Sequence, residues 1–121
     1  MAEYKVKFYV DSRTGKSDVF QYVNQLNIKE RTKVDKYIEY LKINKGYLDE
    51  PYSKHISGKI RELRVDFSRN HHRIFYFTFV GKNIILLHAF LKKTTKTPQQ
   101  EIKRALDNYH DFIINQHYYE Y

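Results

Sequence analysis

Cationic side chains that could share one chemistry are concentrated between residues 60 and 96. Arg64 lies within "KIRELRVDF", Arg73 opens "RIFYF", and Lys92 and Lys93 end "IILLHAFLKK". Arginine binds two phosphate oxygens through its planar guanidinium, and a crowded lysine can transfer a proton near neutral pH. These residue types suit cleavage of RNA by its own 2′-hydroxyl. A protein that only binds RNA needs the same cations, so composition does not separate a nuclease from a binder.

Glu62 and His88 are the further candidates for proton transfer. If Leu63 and Val65 face the core, alternation along the strand puts Glu62 on the opposite face with Arg64. His88 lies near the end of the strand "IILLHAFL". The residues predicted to be catalytic are therefore Arg64, Arg73, Lys92, Lys93, Glu62 and His88.

Some of these side chains also have an ordinary structural interpretation. One arginine in a strand is most often a solvated residue. A functional site is favoured because cations are predicted on the same face of three adjacent strands. Lys59, Arg61 and Lys96 are predicted to bind RNA, although Lys96 next to a helix start also fits a plain surface lysine. His71 and His72 fall in a turn and are predicted to be exposed without a role.

Composition excludes several classes of protein. The chain has no Cys, which rules out disulfides, thiolate zinc sites and a cysteine nucleophile. Its six His are scattered without metal-ligand spacing, so neither a metal nor a cofactor is expected. No apolar run approaches the roughly 20 residues that span a bilayer, and a signal peptide is not evident, so a cytoplasmic protein is expected. The net charge of +8 favours a polyanionic partner.

The elements that position these side chains are predicted in the order β-α-α-β-β-β-α. "EYKVKFYV" alternates as a strand, and Ser17 or Asp18 caps a first helix. A second helix is predicted from Ile28 to Lys45, with Gly46 as its stop. The stretch "YLDEPYSKHISGK" is predicted to be a loop, and three strands joined by short turns follow as an antiparallel meander.

Thr97 is predicted to cap the last helix, with Pro98 at its first position and Gln100 completing a capping box. This helix covers about 98–115, and residues 116–121 form a tail. The chain is thus predicted to be one α+β domain, 1–121, with a small antiparallel sheet, two helices on one face and a C-terminal helix.

Two segments resemble a known group of proteins. "KIRELRVDFSRNHHRIFYF" and "IILLHAFLKKTTKTPQQEIKRA" are similar to the RelE/HigB superfamily of bacterial toxin–antitoxin ribonucleases, and most closely to its phage-derived HigB-like branch. The string "HAFLKKT-KTP-EI-A" is the more specific mark, whereas "ELR" alone is weak. The resemblance covers most of the chain, with its motifs in residues 60–105.

The resemblance implies a RelE-like fold and a metal-independent endoribonuclease toxin that cuts messenger RNA, commonly in the ribosomal A site. It also implies a cognate antitoxin protein, of helix-turn-helix type, that neutralises the toxin. By the same resemblance, Arg73 stabilises the transition state and Arg64 positions the RNA backbone. Lys92 or Lys93 donates a proton to the leaving oxygen or grips its phosphate.

The chain departs from the family pattern in two places, and two other functions stay open. Glu62 stands where some RelE-like members have lysine, and it is either a general base or an ion-pair partner of Arg64 or Arg73. The chain continues into a helix and "HYYEY", which could stack on RNA or contact a partner. The alternatives are a ParE-like inhibitor of DNA gyrase and a non-catalytic phage protein that binds antitoxin or RNA. A one-residue shift of register would turn Arg64 and Arg73 toward the helices and weaken the nuclease hypothesis.

Overall fold

The computed structural model describes residues 3–79 and 81–116, which form three helices and five strands. This arrangement confirms the predicted α+β class. In chain order the elements are β1 (Lys5–Phe8), α1 (Asp18–Asn24), α2 (Ile28–Ile43), β2 (Ser53–Ser57), β3 (Ile60–Phe67), β4 (Asn70–Phe79), β5 (Asn83–Lys92) and α3 (Gln99–Ile114).

The strands form one sheet in the order β1-β5-β4-β3-β2. The predicted antiparallel meander is present, because β3 pairs with β4 and β4 pairs with β5 in antiparallel fashion. The sheet as a whole is mixed, however, because β1 runs parallel to β5, with Val6 opposite Ile84. Alternation within "EYKVKFYV" reveals a strand but carries no information on the direction of its neighbour, so the expectation of a wholly antiparallel sheet was wrong on this point.

Strand β2 corrects the prediction of a loop between α2 and β3. "SKHIS" is polar and has weak strand propensity, yet it pairs antiparallel with β3, with Ser53 opposite Leu63 and Lys54 opposite Glu62. The Ser53 hydroxyl is buried and lies 2.8 Å from the Tyr76 hydroxyl. Pairing with the exposed edge of β3 therefore outweighs the local sequence preference.

Helices α1 and α2 cover the face of the sheet that carries Leu63 and Val65. The Ser17 hydroxyl accepts a hydrogen bond from the Phe20 amide, as the predicted cap requires. Helix α2 ends at Ile43, two residues before the predicted end. Gly46 follows with φ of +83°, and a Cβ atom there would lie 2.2 Å from the Thr78 hydroxyl, so glycine is required by both conformation and space.

Helix α3 packs on the opposite face of the sheet, over its half next to β1. The Phe77 ring contacts the Tyr109 ring at 4.7 Å and the Phe112 ring at 5.6 Å between centroids. The predicted capping box is wrong, since the N-cap is Pro98 without a side-chain hydrogen bond, and the Thr97 hydroxyl donates to Glu62 instead.

The rest of that face, along β3 and the ends of β4 and β5, carries the charged side chains described below. The predicted tail is 116–121, and its residues 117–121, with the tyrosines, lie outside the described residues. Among the residues that are described, no helix has the length and apolarity needed to cross a membrane.

Candidate active site

The register of the meander brings the predicted cations together on one face. Arg64 on β3 lies directly opposite Arg73 on β4, and His71 on β4 lies opposite Lys92 on β5. Alternation then puts Glu62 on the same face as Arg64. Leu63 and Val65 are completely buried under the helices on the other face. The predicted register is therefore the one observed.

The side chains of Arg64, His71, Arg73 and Lys92 line a pocket of about 660 Å³ at the end of the sheet. Its charged and imidazole groups come from β3, β4, the turn between them and the end of β5. They are Arg64, Asp66, Arg69, His71, Arg73, Lys92 and Lys93. Five cations and one carboxylate make this pocket suitable for a phosphate group.

Glu62 lies at the base of the cationic cluster, with only 1% of its surface exposed. Its Oε1 atom is 3.7 Å from Arg64 Nε and 4.0 Å from Arg73 Nε. Its Oε2 atom accepts a hydrogen bond from the Thr97 hydroxyl at 3.1 Å. A buried carboxylate is stable only when it is paired, so Glu62 and the two arginines orient one another.

Arg73 is buried although its charge is permanent, and its contacts fix the guanidinium. Its Nη1 atom donates to Asp66 Oδ1 at 2.8 Å and to the His72 carbonyl at 2.9 Å. Its Nε atom is buried without a hydrogen-bond partner among the described residues. A buried donor without a hydrogen bond is costly, and the Glu62 carboxylate 4.0 Å away compensates its charge in part.

Lys92 differs from the arginines because its charge can be lost. Partial burial lowers the pKa of its ammonium group, and the cations Arg73, Arg64 and Lys54 add to this effect, whereas Glu62 opposes it. A pKa moved toward neutrality is what a lysine needs to exchange protons during catalysis.

The pocket also contains a histidine that the sequence interpretation set aside. His71 Nδ1 lies 3.0 Å from Asp66 Oδ1, and His71 lines the pocket next to Lys92. Burial alone would raise the pKa of Asp66, but hydrogen bonds with Arg73 and His71 lower it overall, so Asp66 is a carboxylate. Continuing the alternation of β3 from Arg64 to Asp66, across the hairpin, would have identified this pair.

His72 was predicted to be exposed, and this prediction is wrong, because the side chain is 3% exposed and packs under the helices. Its Nδ1 atom lies 2.7 Å from the Tyr22 hydroxyl, and its Nε2 atom lies 3.7 Å from Glu30. Burial lowers the pKa of this imidazole. His72 is therefore part of the core rather than of the pocket.

The other predicted site residues lie outside the pocket. His88 is on the same face, but its Nε2 atom lies 3.0 Å from Glu101 of α3 and its ring stacks on Phe90. Arg61 faces the helix side, where it donates to the Ser53 hydroxyl and the Leu48 carbonyl. Two lysines are exposed at a distance from the arginines, Lys59 in the turn before β3 and Lys96 before α3.

The part of the chain that the structure describes contains no cluster of three or more His, Asp or Glu side chains that could hold a metal ion.

The fold and the site define a class of small α+β proteins with a cationic pocket at the end of an antiparallel meander. Residues 21–110 match the family described as Phage derived protein Gp49-like (DUF891). The match covers most of the chain and includes Arg64, Arg73 and Lys92. The chain belongs to this family, which confirms the predicted phage-derived HigB-like branch.

Two bacterial proteins are similar to part of the chain. Two strains of Mycobacterium tuberculosis, CDC 1551 / Oshkosh and ATCC 25618 / H37Rv, each have a protein named "Probable endoribonuclease HigB1". Each is 43% identical to the chain over 54 residues. The match spans 45% of this chain and 42% of either relative.

Proposed function

We propose that this protein is the toxin of a type II toxin–antitoxin system and acts as a metal-independent endoribonuclease on messenger RNA at the ribosome. The observation that carries the proposal is the pairing of Arg64 with Arg73 beside Lys92 in a single pocket. Membership of the phage-derived family and the name of the mycobacterial relatives support the same activity.

The proposed reaction is attack of a ribose 2′-oxygen on the adjacent phosphorus. The 2′-hydroxyl loses its proton, a 2′-oxygen–phosphorus bond forms, and the phosphorus–5′-oxygen bond breaks. The leaving 5′-oxygen takes up a proton, which gives a 2′,3′-cyclic phosphate and a 5′-hydroxyl end. Arg73, held by Glu62 and Asp66, stabilises the charge on the phosphoryl oxygens, and Arg64 positions the phosphate.

Two groups in the pocket carry the proposed proton transfers. Lys92, with its lowered pKa, protonates the leaving oxygen. His71, oriented through its Nδ1 atom by Asp66, removes the 2′-proton through its other ring nitrogen. Lys93 lies at the rim and holds the flanking phosphate. Glu62 is too deeply buried to reach a substrate, which favours the ion-pair role over that of general base.

The proposed partners follow from charge and family. Messenger RNA and ribosomal RNA are polyanions that suit a protein of net charge +8. A cognate antitoxin, of helix-turn-helix type, would neutralise the toxin in the cytoplasm.

Mapping messenger-RNA 5′ ends after controlled expression in a bacterial host tests this function. We expect new 5′-hydroxyl ends within translated frames for the wild type and for Arg104→Ala, an exposed arginine on α3 that serves as the charge-matched control. Arg73→Ala should produce none. Growth arrest with intact messages would instead indicate a target such as DNA gyrase. Cleavage of free RNA in vitro, without ribosomes, that EDTA abolishes would contradict the metal-independent chemistry.

A further inference from the structure

We infer that a second surface, between α2 and the turn before β2, binds single-stranded RNA next to the active-site pocket. We call it the lysine–tyrosine groove, formed by Lys29, Lys33, Lys36, Tyr37, Tyr40 and Tyr52, with a volume of about 450 Å³. The inference rests on the proposed function, since the RNA in question is the continuation of the strand held by Arg64 and Arg73.

The lysines of the groove form a cationic edge on α2. Lys29, Lys33 and Lys36 are spaced by four and three residues, which puts them on one side of the helix. No carboxylate lines the groove among the described residues. Lys29 lies in the first turn of α2, where the helix dipole disfavours a cation. An anionic ligand would remove this unfavourable interaction.

The tyrosines provide aromatic rings in contact with these cations. The Lys33 ammonium lies 5.7 Å from the centroid of the Tyr37 ring and the Lys36 ammonium 5.8 Å from that of Tyr40. The Tyr37 ring lies 5.7 Å from the Tyr40 ring and 5.7 Å from the Tyr52 ring, measured between centroids. Tyr52 is 45% exposed, so part of its ring is open to a base. Aromatic rings interleaved with lysines are the combination that binds bases and phosphates of single-stranded nucleic acid without sequence preference. An acidic peptide would use the lysines, but it carries an aromatic group only at some residues, whereas every nucleotide of RNA brings a base for the rings together with a phosphate.

Two contacts connect the groove to the strand that carries the active site. The Lys33 ammonium donates a hydrogen bond to the backbone carbonyl of Asp66, whose carboxylate binds Arg73. The Arg64 amide donates to the Tyr52 carbonyl at 2.9 Å. Both hydrogen bonds are made by backbone groups of β3, so the groove lies against the same end of the strand whose side chains Arg64 and Asp66 line the pocket. An RNA strand that leaves the pocket over this end of β3 reaches the groove directly.

Binding of a fluorescent, uncleavable RNA, in which 2′-methoxy groups replace the 2′-hydroxyls, tests the inference on the full chain. The groove variant combines Lys29→Ala and Lys36→Ala and leaves Lys33 in place because of its contact with Asp66. The control combines Lys16→Ala and Lys103→Ala, two exposed lysines outside the groove, and loses the same charge. Both variants are first compared with the wild type by thermal unfolding.

We expect the groove variant, and not the control, to bind a long RNA more weakly and with a smaller salt dependence. Loss of two phosphate contacts lowers the slope of log K against log salt by about 1.4, at about 0.7 per contact for single strands. The loss of affinity for a trinucleotide, which fills only the pocket, should be smaller. Tyr52→Ala should weaken binding of long RNA by at least about fivefold without changing the slope, while Tyr52→Phe keeps the ring and the affinity.

The outcomes separate this inference from the proposed function. If the groove variant and the control variant bind long RNA with equal affinity and equal salt slope, the groove does not bind RNA. This holds even if Arg73→Ala abolishes cleavage. If the groove variant binds long RNA more weakly but the wild type cleaves no RNA, the groove binds RNA and the proposed nuclease activity is wrong. If the groove variant loses affinity for poly-glutamate but not for RNA, the surface is an interface for an acidic protein, and the inference is wrong.

Discussion

Arg64 and Arg73 face each other across β3 and β4 as direct register partners, and both guanidinium groups approach the same buried carboxylate oxygen of Glu62. Like charges directly opposite one another on paired strands repel. The pair is tolerated because Glu62 compensates part of the charge from below, and Asp66 binds Arg73 from the side. The remaining positive charge faces the pocket, where a phosphate would be held.

Glu62→Gln should therefore destabilise the protein. The change keeps the shape but leaves two guanidinium groups without their shared carboxylate, and breaking such a buried pair costs about 3 kcal/mol. Urea denaturation measures the free energy of unfolding, with Glu39→Gln, an exposed helix carboxylate, as the control. If Glu62 only orients the arginines, the cleavage rate falls at every pH and the acidic limb of the pH–rate profile remains. Loss of that limb would identify Glu62 as the general base.

Arg73→Ala should lower the single-turnover rate of RNA cleavage by about 10²–10³, the typical effect of removing one donor to a charged transition state. Arg73→Lys should recover little of this rate, because an ammonium group cannot form the bidentate contact or the bonds to Asp66 and the His72 carbonyl together. Rates are measured on variants that urea denaturation shows to be folded. A variant Arg73→Lys as active as the wild type would reduce the role of Arg73 to charge alone.

Much of the site was predictable because alternation in a strand is a strict geometric rule. If Leu63 and Val65 face the core, alternation and pairing assign Arg64 and Arg73 to the opposite face, and the structure agrees. The α+β class followed from apolar periodicity, and the start of α1 from its Ser17 cap.

The features that sequence reasoning missed depend on contacts between distant segments. Strand β2 forms because β3 offers a free edge, although its own residues favour a loop. The Thr97 hydroxyl can accept a hydrogen bond from a helix amide or donate one to a carboxylate, and only the fold brings Glu62 close enough for the second. His71 and His72 are adjacent in sequence but point to opposite faces of β4, so one lines the pocket and the other is buried.

The pH dependence of cleavage should have an alkaline limb set by Lys92. Since Lys92 acts as an acid in the proposal, activity is present below its pKa and is lost as pH rises through that value, which burial places below the usual value of 10.5. Lys54→Ala removes a nearby like charge and should move the limb to higher pH. Lys103→Ala, far from the pocket, should leave it in place. An alkaline limb that persists unchanged in Lys92→Ala would exclude Lys92 as the acid.

His72 should make the protein less stable as the pH falls. Burial lowers the pKa of His72 in the folded state below the ordinary value of 6.5, with Glu30 opposing and Arg73 adding to the shift. Between these two pKa values the unfolded chain binds more protons than the folded one, so stability decreases as pH falls through about 6.5. His72→Gln should flatten this dependence, measured by urea denaturation across that range. His110→Gln, an exposed histidine on α3, is the control, and an equal slope in both variants would contradict the assignment.

His71→Ala should lower the single-turnover rate by about 10²–10⁴, the usual contribution of a positioned acid or base, and should remove the acidic limb of the pH–rate profile. A substrate with a 5′-thio leaving group distinguishes the two proton transfers, because a thiolate leaves without being protonated. Sulfur in place of the 5′-oxygen should restore the cleavage rate of Lys92→Ala but not that of His71→Ala. Asp66→Asn should lower the rate at least as much, since it removes the carboxylate that both orients the imidazole and binds Arg73. Rescue of His71→Ala by the thio substrate would reverse the roles, making His71 the acid and leaving the 2′-proton to another group.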